Sequence, residues 1–196
     1  MSLSFLTKQG RGIESVFEDL AKLRIAVFRD YPYLYEGSLA YEMEYLKTYA
    51  YSDRSFLFAI YDGEKMVGAT TCIPLRDETA DIRGPFEKAG FNIDSIFYFG
   101  ESILLSSYRG LGLGHRFFDA REEYASSFGT FKTACFCSVE RVNHPEQPAD
   151  YRPNDVFWIK RGYKKVPDLK ATMEWPDLGE TISTPKTMIF WMKEIE

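Results

Sequence analysis

A glycine-rich segment at residues 109–114 has the residue types and the spacing that could bind an anion. Its sequence is Arg-Gly-Leu-Gly-Leu-Gly, with a glycine at every second position. A mostly apolar, aromatic-rich run at residues 96–105 precedes it, which is typical of a central strand. Apolar and charged residues at helical spacing follow it as far as Gly129, which suits a helix C-terminal cap. Backbone N–H groups at such a helix start, together with the helix dipole, predict an anion site that a phosphate could approach closely.

Three glycine-rich motifs compete for this segment. A Walker-type loop needs a lysine after its last glycine, whereas His115 follows Gly114 here. A dinucleotide fingerprint needs G-x-G-x-x-G, whereas Gly110, Gly112 and Gly114 are spaced G-x-G-x-G. The third pattern, [RQ]-x-x-G-x-[GA] after a long strand, fits Arg109, Gly112 and Gly114. It resembles the coenzyme A loop of the GNAT N-acetyltransferases.

The resemblance implies acetyl-CoA (acetyl-coenzyme A) as cofactor and acyl donor. In GNAT proteins a helix-start loop holds the pyrophosphate, two central strands splay apart, and the acyl-pantetheine arm lies in the gap. The unpaired N–H and C=O groups of an exposed strand can form hydrogen bonds with a peptide-like ligand, which is a physical reason for that arrangement. The implied cofactor contacts are Leu104, Leu105, Ser106, Arg109, Gly110, Leu111, Gly112, Leu113, Gly114, His115, Asn154 and Trp158.

A second segment, residues 154–163, resembles the GNAT motif N-x-x-A-x-x-F-Y-x-x-x-G-[FY] at Phe157, Gly162 and Tyr163. It departs from the motif at Trp158, where the family often has a tyrosine that acts as general acid on the coenzyme A thiolate. An indole N–H can donate a hydrogen bond but is not a working acid near neutral pH. The sequence therefore leaves the proton donor unassigned.

Glu101 is the candidate general base. It lies on the predicted strand, eight residues before Arg109, where GNAT enzymes often have an acidic residue. A carboxylate that faces an apolar cleft has a raised pKa, which suits proton transfer through a water. The alternative is that Glu101 only positions the acceptor amine or pairs with a nearby cation.

The segment between the first two predicted helices, residues 29–37, often lines the acceptor site in GNAT proteins. By that resemblance the candidate acceptor contacts are Tyr31, Tyr33, Tyr35 and Glu36. The tyrosines could equally pack against the sheet edge with their hydroxyls in water. The acceptor is expected to be a small-molecule amine, and the sequence does not identify it.

Two other functions compete with N-acetyl transfer. Cys135 and Cys137 share one face of a predicted strand, with Glu140 and His144 just beyond, so a thiol-dependent acyl transferase is an alternative. No helix start follows either cysteine to lower its pKa, which favours buried core residues. Alternatively, Trp158 in place of tyrosine could indicate a non-catalytic acyl-CoA sensor that kept the fold.

Composition narrows the partners and the compartment. The 196 residues suit one domain, 1–196, and the net charge of -5 without a long basic run argues against nucleic acid. No apolar run is long enough to span a membrane, and the first residues lack a signal-peptide pattern. Three cysteines and two histidines suit reduced thiols in a cytoplasmic protein without a metal site. An edge strand at residues 188–193 could pair across a homodimer.

The order of elements predicts a single-domain α/β GNAT-like fold. We expect a mixed, mostly antiparallel sheet of about seven strands with a central parallel pair and helices on both faces. The strands are predicted at residues 3–8, 55–61, 65–74, 96–105, 131–139, 171–175 and 188–193. Helices are predicted at 13–28, from Ser38 onward, at 85–89 with Pro85 first, from the glycine loop to Gly129, and at 154–163.

Overall fold

A seven-stranded mixed sheet forms the centre of the computed structural model, which describes residues 2–195. The strand order is β1-β2-β3-β4-β5-β7-β6, and β4 with β5 is the parallel pair. The strands are β1 (Leu3–Gln9), β2 (Phe56–Asp62), β3 (Lys65–Pro74), β4 (Ile96–Leu104), β5 (Thr133–Val139), β6 (Lys164–Trp175) and β7 (Thr184–Glu194). The predicted fold class is confirmed, although β6 and β7 are longer than the sequence indicated. The prediction of an edge strand at residues 188–193 is wrong, because β7 pairs with β5 on one side and β6 on the other.

Helices cover both faces of the sheet. They are α1 (Phe17–Phe28), α2 (Leu39–Tyr45), α3 (Lys47–Ala50), α4 (Ala80–Lys88), α5 (Leu113–Ser126) and α6 (Asp155–Lys160). Side chains of β4 alternate between two apolar layers, as a period of two residues requires. Ile96 and Tyr98 pack in the layer beneath α1 and α4, whereas Phe97 and Phe99 pack beneath α5 and α6. None of the helices in residues 2–195 is long and apolar enough to cross a bilayer.

The two parallel strands stay paired over only a short stretch. Their register ends with the pair Tyr98 and Cys135, although β4 continues to Leu104 and β5 to Val139. Beyond that point the strands separate at their carboxyl ends, as the resemblance implied. The gap leaves part of the β4 backbone without a neighbouring strand on that side.

A β-bulge lies in β4 beside this gap. Thr70 pairs with Ser102 but Cys72 pairs with Phe99, so β4 carries one more residue than β3 between those pairs. Gly100 lies in the bulge, and a Cβ there would overlap the Tyr49 hydroxyl. Only glycine therefore fits where β4 approaches the helical layer.

Two predicted helices differ from the structure. Residues 10–16 form a tight 3₁₀ segment, and α1 begins only at Phe17. The predicted start at Pro85 is wrong, because α4 already begins at Ala80. Ile82 and Phe86 are buried, and Phe86 packs edge-on against Phe190 at 4.7 Å between ring centroids. This packing outweighs the loss of the helical hydrogen bond that Pro85, inside α4, cannot donate.

Candidate active site

A cleft of about 770 Å³ opens where β4 and β5 separate. One wall is β4 from Phe99 to Leu104, and the other is the end of β5 with the residues after it. The start of α5 and helix α6 border the cleft on one face of the sheet, and the segment after α1 borders it on the other. The cleft therefore brings the glycine loop and the predicted acceptor segment to one site.

The glycine loop presents unpaired backbone donors at the start of α5. Gly110 and Gly112 have φ of 78° and 76°, and a Cβ on either would meet nothing within 4 Å. Within the described residues, the N–H groups of Gly110, Leu111 and Gly112 donate to no protein acceptor. Free N–H groups at the positive end of a 14-residue helix could bind an anion.

Arg109 joins this loop to the end of β4. Its Nε donates to the carbonyl oxygen of Leu104 at 3.3 Å, and its guanidinium lies 3.8 Å from the Asp30 carboxylate. The Arg109 side chain is about half exposed and borders the cleft. It is placed both to brace the loop and to reach an anion there.

Of the predicted β4 contacts, Leu104 is the one that lines the cleft. Leu105 donates its N–H to Val67 at 3.0 Å and accepts from Tyr108 at 2.9 Å, so its backbone is engaged within the protein. Ser106 accepts from the N–H of Arg109 at 3.1 Å. Because backbone groups alternate sides along a strand, the N–H of Leu104 points away from β3 and into the gap.

Glu101 lies in the cleft wall as part of a buried ion cluster. Its Oε2 is 2.5 Å from Nη1 of Arg24 on α1, and the Nε of Arg24 pairs with Glu42 on α2. Its Oε1 is buried and has no hydrogen-bond partner within the described residues. Burial raises the pKa of Glu101 even though Arg24 pulls it down. The pairing of Glu101 with a cation is therefore observed, whereas its role as general base stays a prediction.

Replacing Arg24 with leucine is expected to lower the free energy of unfolding by about 3–5 kcal/mol, because two buried carboxylates lose their counter-charge. Urea unfolding near neutral pH measures the loss, which should shrink at lower pH as the carboxyls bind protons. Arg29→Leu is the matched control, since its pair with Glu36 at 3.2 Å is exposed and is expected to contribute at most about 1 kcal/mol. Equal losses in the two variants would contradict this role of Arg24.

The predicted acceptor residues divide into two pairs. Tyr31 and Tyr33 line the cleft. The hydroxyl of Tyr31 lies 3.1 Å from both the Arg141 carbonyl oxygen and Gln147 Oε1. Tyr35 packs in the apolar core, and exposed Glu36 pairs with Arg29, so neither lines the cleft. The segment is a turn in which Leu34 has φ of 53°, and alternate residues therefore do not share one face.

Arg141 fastens the acceptor segment to the rest of the cleft. It donates to the carbonyl oxygens of Pro32 and Tyr33, both at 3.0 Å, and forms a bidentate pair with Asp177 at 2.6 and 2.7 Å. Sequence reasoning missed this residue because its partners lie 36 or more positions away. It also missed Tyr151, which lines the cleft and packs edge-on against Tyr31 at 4.6 Å.

Helix α6 brings Asn154 and Trp158 to the cleft. The indole of Trp158 packs edge-on against Phe136 at 5.0 Å and Trp191 at 5.1 Å. His115 is exposed, and its ring packs edge-on against Phe157 at 4.9 Å. Trp158 thus occupies an apolar wall of the cleft, where a tyrosine was expected from the motif.

The cysteines are poorly placed for nucleophilic chemistry. Cys135 is fully buried in the core. Cys137 borders the cleft, but burial raises the pKa of its thiol to about 12, and its Sγ lies 3.2 Å from the Tyr98 hydroxyl. His144 contacts Tyr31 and accepts from the N–H of Glu146. At neutral pH the Cys137 thiol therefore stays protonated, which argues against a thiolate mechanism.

Within residues 2–195, no three His, Cys, Asp or Glu side chains come together as a metal site.

No family model matches the sequence, and no curated protein matches it. Solved structures do match over the whole chain.

An acetyltransferase from Thermus thermophilus aligns with a TM-score of 0.59 and 13% identity over 100% of this chain and 98% of that one. An N-acetyltransferase from Staphylococcus aureus aligns with a TM-score of 0.60 and 11% identity over 100% of both chains. An aminoglycoside 6'-N-acetyltransferase in complex with coenzyme A aligns with a TM-score of 0.57 and 18% identity over 100% of this chain and 98% of that one. This chain has the fold of the GNAT acetyltransferases.

Proposed function

We propose that this protein transfers an acyl group, acetyl in the simplest case, from coenzyme A to the amine of a small molecule. The observation that carries the proposal is the unpaired N–H groups of the glycine loop beside the gap between β4 and β5. An anion-binding helix start next to an open strand edge suits a ligand with a pyrophosphate and an amide-containing arm. The fold neighbour in complex with coenzyme A supports the same donor.

The donor contacts follow from the cleft geometry. Backbone N–H groups at residues 110–114 would hold the pyrophosphate, with Arg109 adding positive charge. The N–H of His115 donates to the carbonyl oxygen of Gly112 at 3.1 Å and is not free for this role. Leu104 would offer its free N–H to the arm, and Asn154 and Trp158 would form the opposite wall. Leu105 and Ser106 contribute mainly by fixing the end of β4, because their backbone groups are bonded within the protein.

The chemistry needs a base and a held acceptor. Acyl-coenzyme A, when bound, would supply a thioester. The amine nitrogen would bond to its carbonyl carbon as the C–S bond breaks, giving an amide and a coenzyme A thiolate that takes a proton from water. Glu101, whose Oε1 has no hydrogen-bond partner among residues 2–195, would take the proton that the amine loses, through a water that enters with the substrate. Tyr31 and Tyr33, which line the cleft, would position the acceptor.

A thiol-release assay with acetyl-CoA tests this function against the sensor alternative, which Trp158 favours. Polyamines, amino acids and aminoglycosides are offered in turn, and the acyl product is weighed by mass spectrometry. We expect thiol release that depends on one class of amine and equals the amide formed. Tight coenzyme A binding without amide from any amine would overturn the proposal and favour the sensor.

A further inference from the structure

Arg121, on the inner face of α5, is a buried guanidinium without an anionic partner. The residue is 2% exposed, and no carboxylate of the described residues forms an ion pair with it within 4.0 Å. Its Nε donates to the carbonyl oxygen of Phe117 and its Nη1 to that of Glu101, both at 3.3 Å. Its Nη2 is buried and has no hydrogen-bond partner among those residues. The site therefore has an unsatisfied cationic donor.

The other arginines of residues 2–195 whose side chains are largely buried have counter-charges. Arg24 pairs with two glutamates, and Arg141 with Asp177. A buried charge without a partner is costly, so evolution rarely keeps one without use. Burial lowers the pKa of Arg121 to about 10, which still leaves the guanidinium charged at neutral pH. Among residues 2–195, Arg121 thus has two carbonyl oxygens and two aromatic rings as neighbours but no carboxylate, so its free Nη2 could pair with an anion from a ligand.

The position of Arg121 indicates which part of a ligand carries the anion. The guanidinium lies 4.4 Å from the ring centroid of Phe99 and 4.5 Å from that of Phe118, and it lines the cleft. It is roughly 12 Å along α5 from the glycine loop, at about 1.5 Å per residue. Phe99 follows directly after Tyr98, the last residue of β4 that pairs with β5. Arg121, which contacts Phe99, is therefore near the closed end of the gap. This location is remote from the phosphate site.

We propose that Arg121 binds a carboxylate at the far end of the acyl group, so that the preferred donor is the coenzyme A thioester of a dicarboxylic acid. This inference rests on the proposed function, because it concerns the same donor cleft. Apolar walls from Phe99, Phe118 and Phe136 suit the methylene carbons of such an acyl group, and Arg121 suits its terminal carboxylate. The terminal carboxylate takes no part in bond changes: the C–N bond forms and the C–S bond breaks as before, and the amide keeps a free carboxylate.

Calorimetric titration of succinyl-CoA, butyryl-CoA and coenzyme A tests the inference, and it needs no turnover. The succinyl and butyryl groups have the same number of carbons and differ in the charge at the far end. We expect the wild-type protein to bind succinyl-CoA about tenfold or more tightly than butyryl-CoA, as a charged hydrogen bond allows. Arg121→Met should lose that preference and keep its affinity for coenzyme A. Arg116→Met is the matched control, because Arg116 lies on the exposed side of α5 over Phe5 and should keep the preference.

The outcomes separate the two proposals. Coenzyme A binding with equal affinity for succinyl-CoA and butyryl-CoA in the wild-type protein would overturn the role of Arg121 alone. A folded wild-type protein that binds no coenzyme A would overturn the proposed function as well. If Arg121→Met does not fold, the wild-type comparison of the two thioesters still decides the question.

Discussion

Replacing Glu101 with glutamine is expected to lower kcat by about 10²–10⁴-fold, the usual contribution of a positioned general base. Glutamine keeps the size of the side chain and still accepts a hydrogen bond from Arg24, but it cannot take a proton from the amine. The affinity for coenzyme A should stay unchanged, because Glu101 is remote from the glycine loop. Steady-state kinetics with the best amine, together with calorimetry of coenzyme A, measure both quantities.

The pH profile gives a second test of Glu101. Burial raises the pKa of its carboxyl above the usual value of 4.5, and a base works only when it is deprotonated. The wild-type kcat/KM should therefore rise with pH through this raised pKa, and Glu101→Gln should lose that rise. Glu42→Gln is the matched control, since Glu42 also pairs with Arg24 but does not line the cleft. If Glu101→Gln is about as active as Glu42→Gln, Glu101 is not the general base and serves only as an ion-pair partner of Arg24.

Gly112→Asp is expected to remove measurable coenzyme A binding. The substitution places a carboxylate where the phosphates would contact the free N–H groups, and a side chain at φ of 76° occupies space that is now open. The fold should survive it at a cost of roughly 1–2 kcal/mol for a side chain at positive φ, because nothing lies within 4 Å of the added Cβ and a negative charge is favourable at a helix start. Loss of binding without loss of folding therefore separates a ligand role from a structural one.

The glycine loop could be predicted from the sequence because its determinants are local. The strand before it, the left-handed glycines and the helix after it all lie within residues 96–129, and both Gly110 and Gly112 do take positive φ. The central parallel pair followed from the same stretch, since a strand, a helix and a second strand imply a parallel crossover. Local pattern therefore indicated the fold and the donor side of the cleft.

The partners of the site residues could not be predicted, because they come from distant parts of the chain. Arg24 lies 77 positions before Glu101, and nothing in either segment indicates the pair. The sequence pattern of α5 does not distinguish Arg121 from the exposed charged residues of that helix. Only the packing of α5 shows that Arg121 is buried and lines the cleft. The resemblance predicts Tyr35 and Glu36 as acceptor contacts beside Tyr31 and Tyr33, whereas the turn directs them away from the cleft. Burial and tertiary contacts thus decide which polar residues can act.

Calorimetric titration of coenzyme A into the wild-type protein, Gly112→Asp and Gly129→Asp tests the central proposal most directly. Gly129 is the matched control, because it lies beyond the other end of α5 with φ of 65° and open space around it. We expect one molecule of coenzyme A to bind to the wild-type protein and to Gly129→Asp, with no binding to Gly112→Asp while all three unfold cooperatively. Equal affinity in all three proteins, or no binding to the folded wild-type protein, would contradict a coenzyme A site at the glycine loop.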